Sequence, residues 1–259
     1  NGISSSTGYF QTSRVRGHAR YIIQWERYHY SIRSGTFGQA ELRGPKWKKR
    51  DWNHDINSGA HLFYGTIHRG AHHYYYKDIK GLRRPPLNST LATQMKIGAY
   101  NETSATNGNY NCQRGMLGIL PAIKIYNPQN NSSEIYGTTI HELAHASHKK
   151  MNFFAYGTSS SLLKESWARG VQRELTRMTY SSYTPSYFGN YTGVVQDMID
   201  SDLYYGNTFI VGDNVSGYTI RQLEDALYNK NTWSLWRDNI KNLYNNGTEN
   251  NLDLLFNYW

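Results

Sequence analysis

Residues 134–150 read EIYGTTIHELAHASHKK, and the fold turns on whether this stretch is a helix. Asn131 and Glu134, three residues apart, form a capping pair for a helix that begins near Ser132. At about 100° per residue, Tyr136, Ile140, Leu143, Ala144 and Ser147 gather on one side. His141 and His145 lie on the other, about 40° and roughly one turn apart. Two imidazoles stacked in this way can bind one tetrahedral ion. Glu142 stands about 60° to the flank of His145, too far round to be a third ligand in the same plane and placed to hold a water beside the ion. The competing reading is an ordinary helix that carries H-E-x-x-H by chance. A third ligand decides between the two, because a catalytic zinc takes three protein groups and keeps one open position.

The metzincin continuation puts Gly three residues and His six residues after the second histidine. Here those places hold His148 and Met151, which excludes that class. The next acidic candidate lies in SLLKESWARGVQREL, residues 161–175. Leu163, Trp167, Val171, Leu175 and Met178 form a helical apolar stripe there, and Glu165 and Ala168 share a different face. A small residue three places after the acid leaves space for the histidine-bearing helix and its ion. The ordinary alternative for Glu165 is an i,i+4 surface ion pair with Arg169, and Glu174 is the second candidate ligand.

HELAH at 141–145 together with ESWA at 165–168 resembles the paired H-E-x-x-H and E-x-x-A signatures of gluzincin-type metallopeptidases, the thermolysin-like arrangement. The resemblance implies Zn2+ held by His141, His145 and Glu165, and hydrolysis of a peptide or protein substrate by a zinc-activated water with Glu142 as general base. It also implies a zincin-like α+β fold with a small sheet, an active-site helix and a helical C-terminal half. The texture from about Gly35 onward, with ATQMKIGAYN, LPAIKIYNP and a tyrosine-rich tail, is similar to secreted bacterial proteins carrying a zincin domain. One departure stands out. The thermolysin group has an Asp four residues after the ligand Glu, where it orients a histidine, and this chain has Arg169. Asp197, Asp200 or Asp202 could supply that support instead, and a Tyr or His from residues 180–220 could stabilise an oxyanion. The alternative function is a non-catalytic, zinc-stabilised module for surface binding.

Around this motif pair the composition sets limits. The chain has 259 residues, 38% of them hydrophobic, and a mean hydropathy of −0.72. It has no apolar run near the roughly 20 residues that cross a bilayer, so a soluble protein without a membrane span is expected. Cys112 is the only cysteine, which rules out an internal disulfide and leaves the redox compartment open. Its setting, NYNCQRG, shows no helix start that would activate a thiol. Seven N-x-S/T sequons, at Asn88, Asn101, Asn130, Asn131, Asn190, Asn214 and Asn246, and 23 tyrosines suit an extracytoplasmic protein: secreted, periplasmic or on the cell surface. No charged-then-apolar leader opens the chain, as in a processed product.

The net charge of +9 is uneven: residues 1–84 hold 15 Lys+Arg against 5 Asp+Glu, and the remainder hold 13 against 14. The excess peaks at KWKKR, residues 46–50. Without an RNP, finger or helix-turn-helix pattern, a nucleic-acid partner is not expected. A solvated loop or attraction to a polyanionic surface accounts for the patch.

Aromatic and β-branched residues predict strands near Gly8–Ser13 and Arg20–Ile32. These form a β-rich segment over residues 1–45, either the remnant of a larger β-module or packed on a catalytic domain over 46–259. Residues 44–59 read as a linker. Leu62, Phe63, Ile67, Ala71, Tyr74 and Tyr75 predict a helix from about Asn57. On it His68 and His72 are one turn apart with Arg69 between them, which favours a core-backing or cleft-lining helix over a second metal site. Strands follow at Gln94–Tyr100 and Ala122–Tyr126, then helices over Leu162–Met178, Tyr191–Ile199, Thr219–Tyr228 and Trp233–Tyr244.

Overall fold

The computed structural model describes residues 3–5, 8–13, 15–48, 50–87, 94–115, 118–128, 130–200, 204–205, 208–209 and 214–259. The chain folds as α+β. In order it forms β1 (Ala19–Gln24), β2 (Glu26–Arg27), β3 (Tyr30–Ser34), β4 (Gly38–Gln39), β5 (Glu41–Trp47), α1 (Gly59–Tyr76), β6 (Met95–Tyr100), β7 (Gly108–Tyr110), α2 (Cys112–Gly115) and β8 (Ile123–Tyr126). Then follow α3 (Ser132–Met151), α4 (Ala155–Thr158), α5 (Ser161–Thr176), α6 (Val194–Ile199), β9 (Tyr204–Tyr205), β10 (Thr208–Phe209), α7 (Ile220–Leu227), α8 (Trp233–Leu243) and α9 (Leu252–Tyr258).

The main sheet runs in the order β2-β3-β6-β8-β7, with β4 also paired to β3. β3, β6 and β8 are parallel, with Ile32 opposite Ile97 and Ile97 opposite Ile123. These are the short apolar runs that a sheet covered by helices selects. β7 closes one side antiparallel to β8, with Asn109 opposite Lys124. β1 and β5 make a separate antiparallel pair.

The N-terminal strands therefore differ from the two expected. Residues 8–13 form no strand, and the stretch 20–32 is divided among β1, β2 and β3. β3 packs within the main sheet, and β5 runs through position 45/46, where a domain boundary was expected, into the stretch read as a linker. The tyrosines and histidines of this region explain the arrangement. Trp25 and Tyr30 lie edge-on to His68, with ring centroids 5.8 and 5.3 Å apart. His68 stacks on His72 at 6.1 Å, and His72 lies 5.2 Å from Tyr76. His68 and His72 thus line the seam between helix and sheet, with no third metal-ligating group converging on them among the described residues.

α3 is the centre of the molecule. Asn131 caps it, its side chain accepting from the backbone N–H groups of Ser133 and Glu134, while Lys149 and Lys150 sit in the last turn, where cations complement the helix dipole. Every residue from Ile135 to His148 is buried, so the helix is not simply amphipathic. The sheet edge, α1 and α5 cover it on different sides, and its polar residues face the interior. The far end is tied down by Asn152, which is fully buried. Its amide donates to the Leu227 carbonyl at 2.9 Å and accepts from the Asn229 N–H at 2.7 Å, joining α3 to the α7–α8 turn. No helix among the described residues is long and apolar enough to cross a membrane.

Asn152→Ala removes the side-chain acceptor of the Asn229 N–H, whereas the Leu227 carbonyl keeps the Lys230 N–H at 3.0 Å, so one group loses its partner at a cost of about 1–3 kcal/mol. Urea unfolding followed by far-UV circular dichroism should show a loss of roughly 1–3 kcal/mol. A loss under about 0.5 kcal/mol, the size of an ordinary surface change, would show that the tie is not structural.

Candidate metal centre

His141 and His145 project from the middle of α3, their rings edge-to-face with centroids 4.7 Å apart and planes at 86°. The two Nε2 atoms lie 3.1 Å from each other, and each lies 3.1 Å from Oε2 of Glu165 on α5. Three donor atoms thus form a nearly equilateral triangle. Ligand atoms about 2.0–2.1 Å from a tetrahedral ion stand about 3.3 Å apart, so the donor set fits zinc in both chemistry and spacing. This is the one cluster of three or more His, Cys, Asp or Glu donors with such convergence among the described residues. Both histidines are buried, whereas the Glu165 side chain keeps 25% of its surface, so the triangle opens towards solvent on the α5 side.

The sequence expectations for His141, His145 and Glu165 meet here, and the alternatives lie elsewhere. Glu174 binds Lys80 at 2.6 Å and Arg173 at 2.8 Å. Arg169 does not pair with Glu165: its guanidinium donates to Gln172 at 2.9 Å and lies 4.5 Å from the centre of the Tyr191 ring. Ala168 is fully buried, as a close α3–α5 approach requires.

Burial would raise the Glu165 carboxyl, but its contacts with the imidazoles of His141 and His145 outweigh it and hold the group well below the usual carboxylate range. Burial pushes His141 down to about 4 against the pull of Glu165. His145 also feels burial, yet contact with Glu165 leaves it raised.

Glu142 is buried beside this cluster, and burial raises its carboxyl to about 7. Its neighbour across the cleft is Gly108 of β7. A Cβ at that position would lie 2.9 Å from Oε1 of Glu142 and 2.7 Å from Cγ2 of Thr138, so only glycine lets the edge strand lie so close to the acid.

Support for the histidines comes from a residue that spacing did not single out. His141 Nδ1 lies 3.1 Å from Oε1 of Gln172, whereas His145 Nδ1 has no partner among the described residues. The aspartates expected in this role are engaged elsewhere, Asp197 by the Trp259 indole at 2.6 Å and Asp200 by Arg173 at 3.2 Å. Asp202 lies outside the described residues. Gln172 follows Glu165 by seven residues, two helical turns on the same face, and that spacing was the available signal.

Two tyrosines border the site. Tyr191, inside the 180–220 window, has its ring 5.8 Å from that of His141, and burial and the Glu165 charge raise its hydroxyl. Tyr156, from the α3–α5 connection, lay outside that window. Burial keeps its hydroxyl protonated, followed by the charges of Tyr110, Glu165 and Glu142. Its ring also stands edge-on to His148, 5.0 Å away. Cys112 is exposed, and a short helix does begin at it, capped by Asn111. It is not among the donors that converge at His141, His145 and Glu165.

The Glu142 shift makes a pH prediction for the metal-free protein. Its unfolded carboxyl ionises near 4.5 and its folded one near 7, so the folded state loses stability as pH rises between these values and is penalised fully above them. Glu142→Gln should therefore be close to neutral at pH 4.5 and stabilising at pH 8, measured by urea unfolding in the presence of a chelator. A gain that did not grow with pH would rule out a desolvated acid. Compared with family models, curated proteins and solved structures, the chain matches none.

Proposed function

We propose that this protein is a zinc-dependent peptidase of the gluzincin type, with a zincin-like fold, and that His141, His145 and Glu165 hold the metal. One observation carries the reading: three donors converge within 3.1 Å of one another beside a buried acid raised to about 7. A zinc ion bound there would supply Lewis acidity, acidifying a water and polarising a carbonyl. The chain's own residues account for the rest.

Glu142 sits where it can take a proton from water and return it to a leaving amine. A buried carboxylate beside the bound water would serve as such a base and then as the acid. Tyr156 and Tyr191 are neutral phenols at the rim, able to donate to an oxygen that gains charge. β7 offers the peptide a place. Its inner edge pairs with β8, and its outer edge meets no other strand among the described residues. An extended peptide laid along that edge would be held by backbone hydrogen bonds, next to Gly108 and so beside Glu142.

A purely structural zinc site would be closed by a fourth protein ligand. Three converging donors among the described residues and a partly exposed Glu165 favour catalysis over the surface-binding alternative.

Purified without chelator, the wild-type protein should carry about one zinc per chain and cleave members of a broad fluorogenic peptide library. Glu142→Gln should keep the metal and lose about 10²-fold or more in kcat. Glu165→Ala should lower zinc content itself. Equal cleavage by wild type and Glu142→Gln would reject the assigned base, and full zinc occupancy in Glu165→Ala would reject the third ligand.

A further inference from the structure

We infer that Gln172 is the positioning residue for the metal-binding imidazole of His141, and that Arg169, Tyr183 and Glu134 lock its amide in the one orientation that can do so. The inference rests on the metal reading above and adds a device to it. A glutamine amide has an accepting end and a donating end, and which end faces His141 decides which ring nitrogen carries the proton.

Both neighbours of the amide give the same answer. At one end, Arg169 lies 2.9 Å from the atom that also faces His141 Nδ1. A guanidinium only donates, so that atom is the carbonyl oxygen. At the other end, Gln172 Nε2 lies 2.6 Å from the Tyr183 hydroxyl, which lies 3.4 Å from Oε2 of Glu134. An ionised carboxylate only accepts, so Tyr183 donates to Glu134 and accepts from Gln172. The amide nitrogen therefore points away from the histidine.

The consequence falls on His141. Its Nδ1 faces an acceptor and must carry the hydrogen, which leaves the Nε2 lone pair free and aimed at Glu165 and His145. The tautomer needed for metal binding is thus set before an ion arrives. Gly137 makes the connection possible. A Cβ there would lie 2.6 Å from the Tyr183 hydroxyl and 3.0 Å from Gln172 Nε2, so any larger residue would separate the two. Gly137, one turn before His141 on α3, lets the Glu134–Tyr183–Gln172 chain cross the helix surface.

This arrangement also explains the departure at Arg169. Where the thermolysin group has an acid, this chain has a cation, and the partner of the histidine moves three residues along α5 to a neutral amide. An imidazole hydrogen-bonded to an amide is less basic than one bonded to a carboxylate.

The test measures zinc affinity by competition with a chromogenic chelator, and the visible spectrum of the Co2+-substituted protein, neither of which requires turnover. Gln172→Leu, similar in shape but unable to accept, should weaken zinc binding about 10- to 100-fold and alter the Co2+ bands. Gln172→Glu, which keeps an acceptor towards His141, should hold zinc more tightly than Gln172→Leu. Tyr183→Phe deletes only a hydroxyl and should give a smaller fall. It carries the test if circular dichroism shows that the leucine variant does not fold. Wild-type affinity and an unchanged spectrum in Gln172→Leu, or in Tyr183→Phe where the former is unfolded, would overturn the assignment and leave the metal site standing. Failure of the wild-type protein to take up either ion would instead reject the metal reading, and this inference with it.

Discussion

Two imidazole nitrogens and a carboxylate oxygen held 3.1 Å from one another place a demand on everything around them. Polar groups of this kind are tolerated in a dry interior only when each finds a partner or a counter-charge. α3 and α5 must therefore approach closely and in fixed rotation, because a small slip of either would strand His141 or His145 without a partner. The rest of the molecule supplies that constraint. The capped start of α3 at Asn131 and its buried anchor at Asn152 set the helix lengthwise, while α1, β7 and α5 enclose it on different sides. A helix buried all round with seven polar residues between Thr138 and His148 is costly in isolation. Here part of the cost is offset by partners: Thr139 and Ser147 donate to the Ile135 and Arg83 carbonyls, and His141 and His145 meet Glu165.

Close backbone approach is the means by which the site is assembled. At Gly108 the edge strand comes down onto Glu142 and Thr138, and at Gly137 a hydrogen-bonded chain passes over α3. Glycine in the interior of a helix destabilises it by about 0.5–1 kcal/mol relative to alanine. Residue 137 accepts that cost in a helix whose stability comes from tertiary packing rather than propensity. What is gained is access: at each of these places a side chain would occupy the space that the chemistry uses.

Much of this organisation was legible in the sequence, for definite reasons. α1, α3, α5, α7 and α8 announce themselves through 3- and 4-residue apolar spacing, and Asn131, Ser160, Thr219 and Thr232 cap four of them with side-chain hydrogen bonds. Met95, Ile97 and Ala99 of β6 and Ile123 and Ile125 of β8 are buried apolar residues in short runs, which marks both strands. His141, Glu142, His145 and Glu165 stand out because metal chemistry restricts residue type and spacing together. Other parts were silent. β7 has only three residues, Gly-Asn-Tyr, too few to show alternation. Its role depends on which strand it joins, which no local pattern records. The N-terminal strands were misplaced because their aromatic residues satisfy α1 across the seam, so their pattern reports tertiary contact more than strand period. Tyr156 lies in a short connection where one tyrosine among 23 carries no mark.

Gln172 was hidden for a different reason: the expectation of an acid drew attention to aspartates. The charges around the site show why an acid is absent. Glu134, Glu142 and Glu165 already lie within electrostatic reach of Arg169 or of one another. A fourth carboxylate beside His141 would have to ionise among them, and burial already raises both Glu134 and Glu142. A neutral amide orients the imidazole without adding charge, and it leaves Arg169 free to face the acids while its guanidinium lies against Tyr191. Arg169 and Gln172 are therefore coupled along one face of α5: the cation at 169 fixes the orientation of the amide that faces His141.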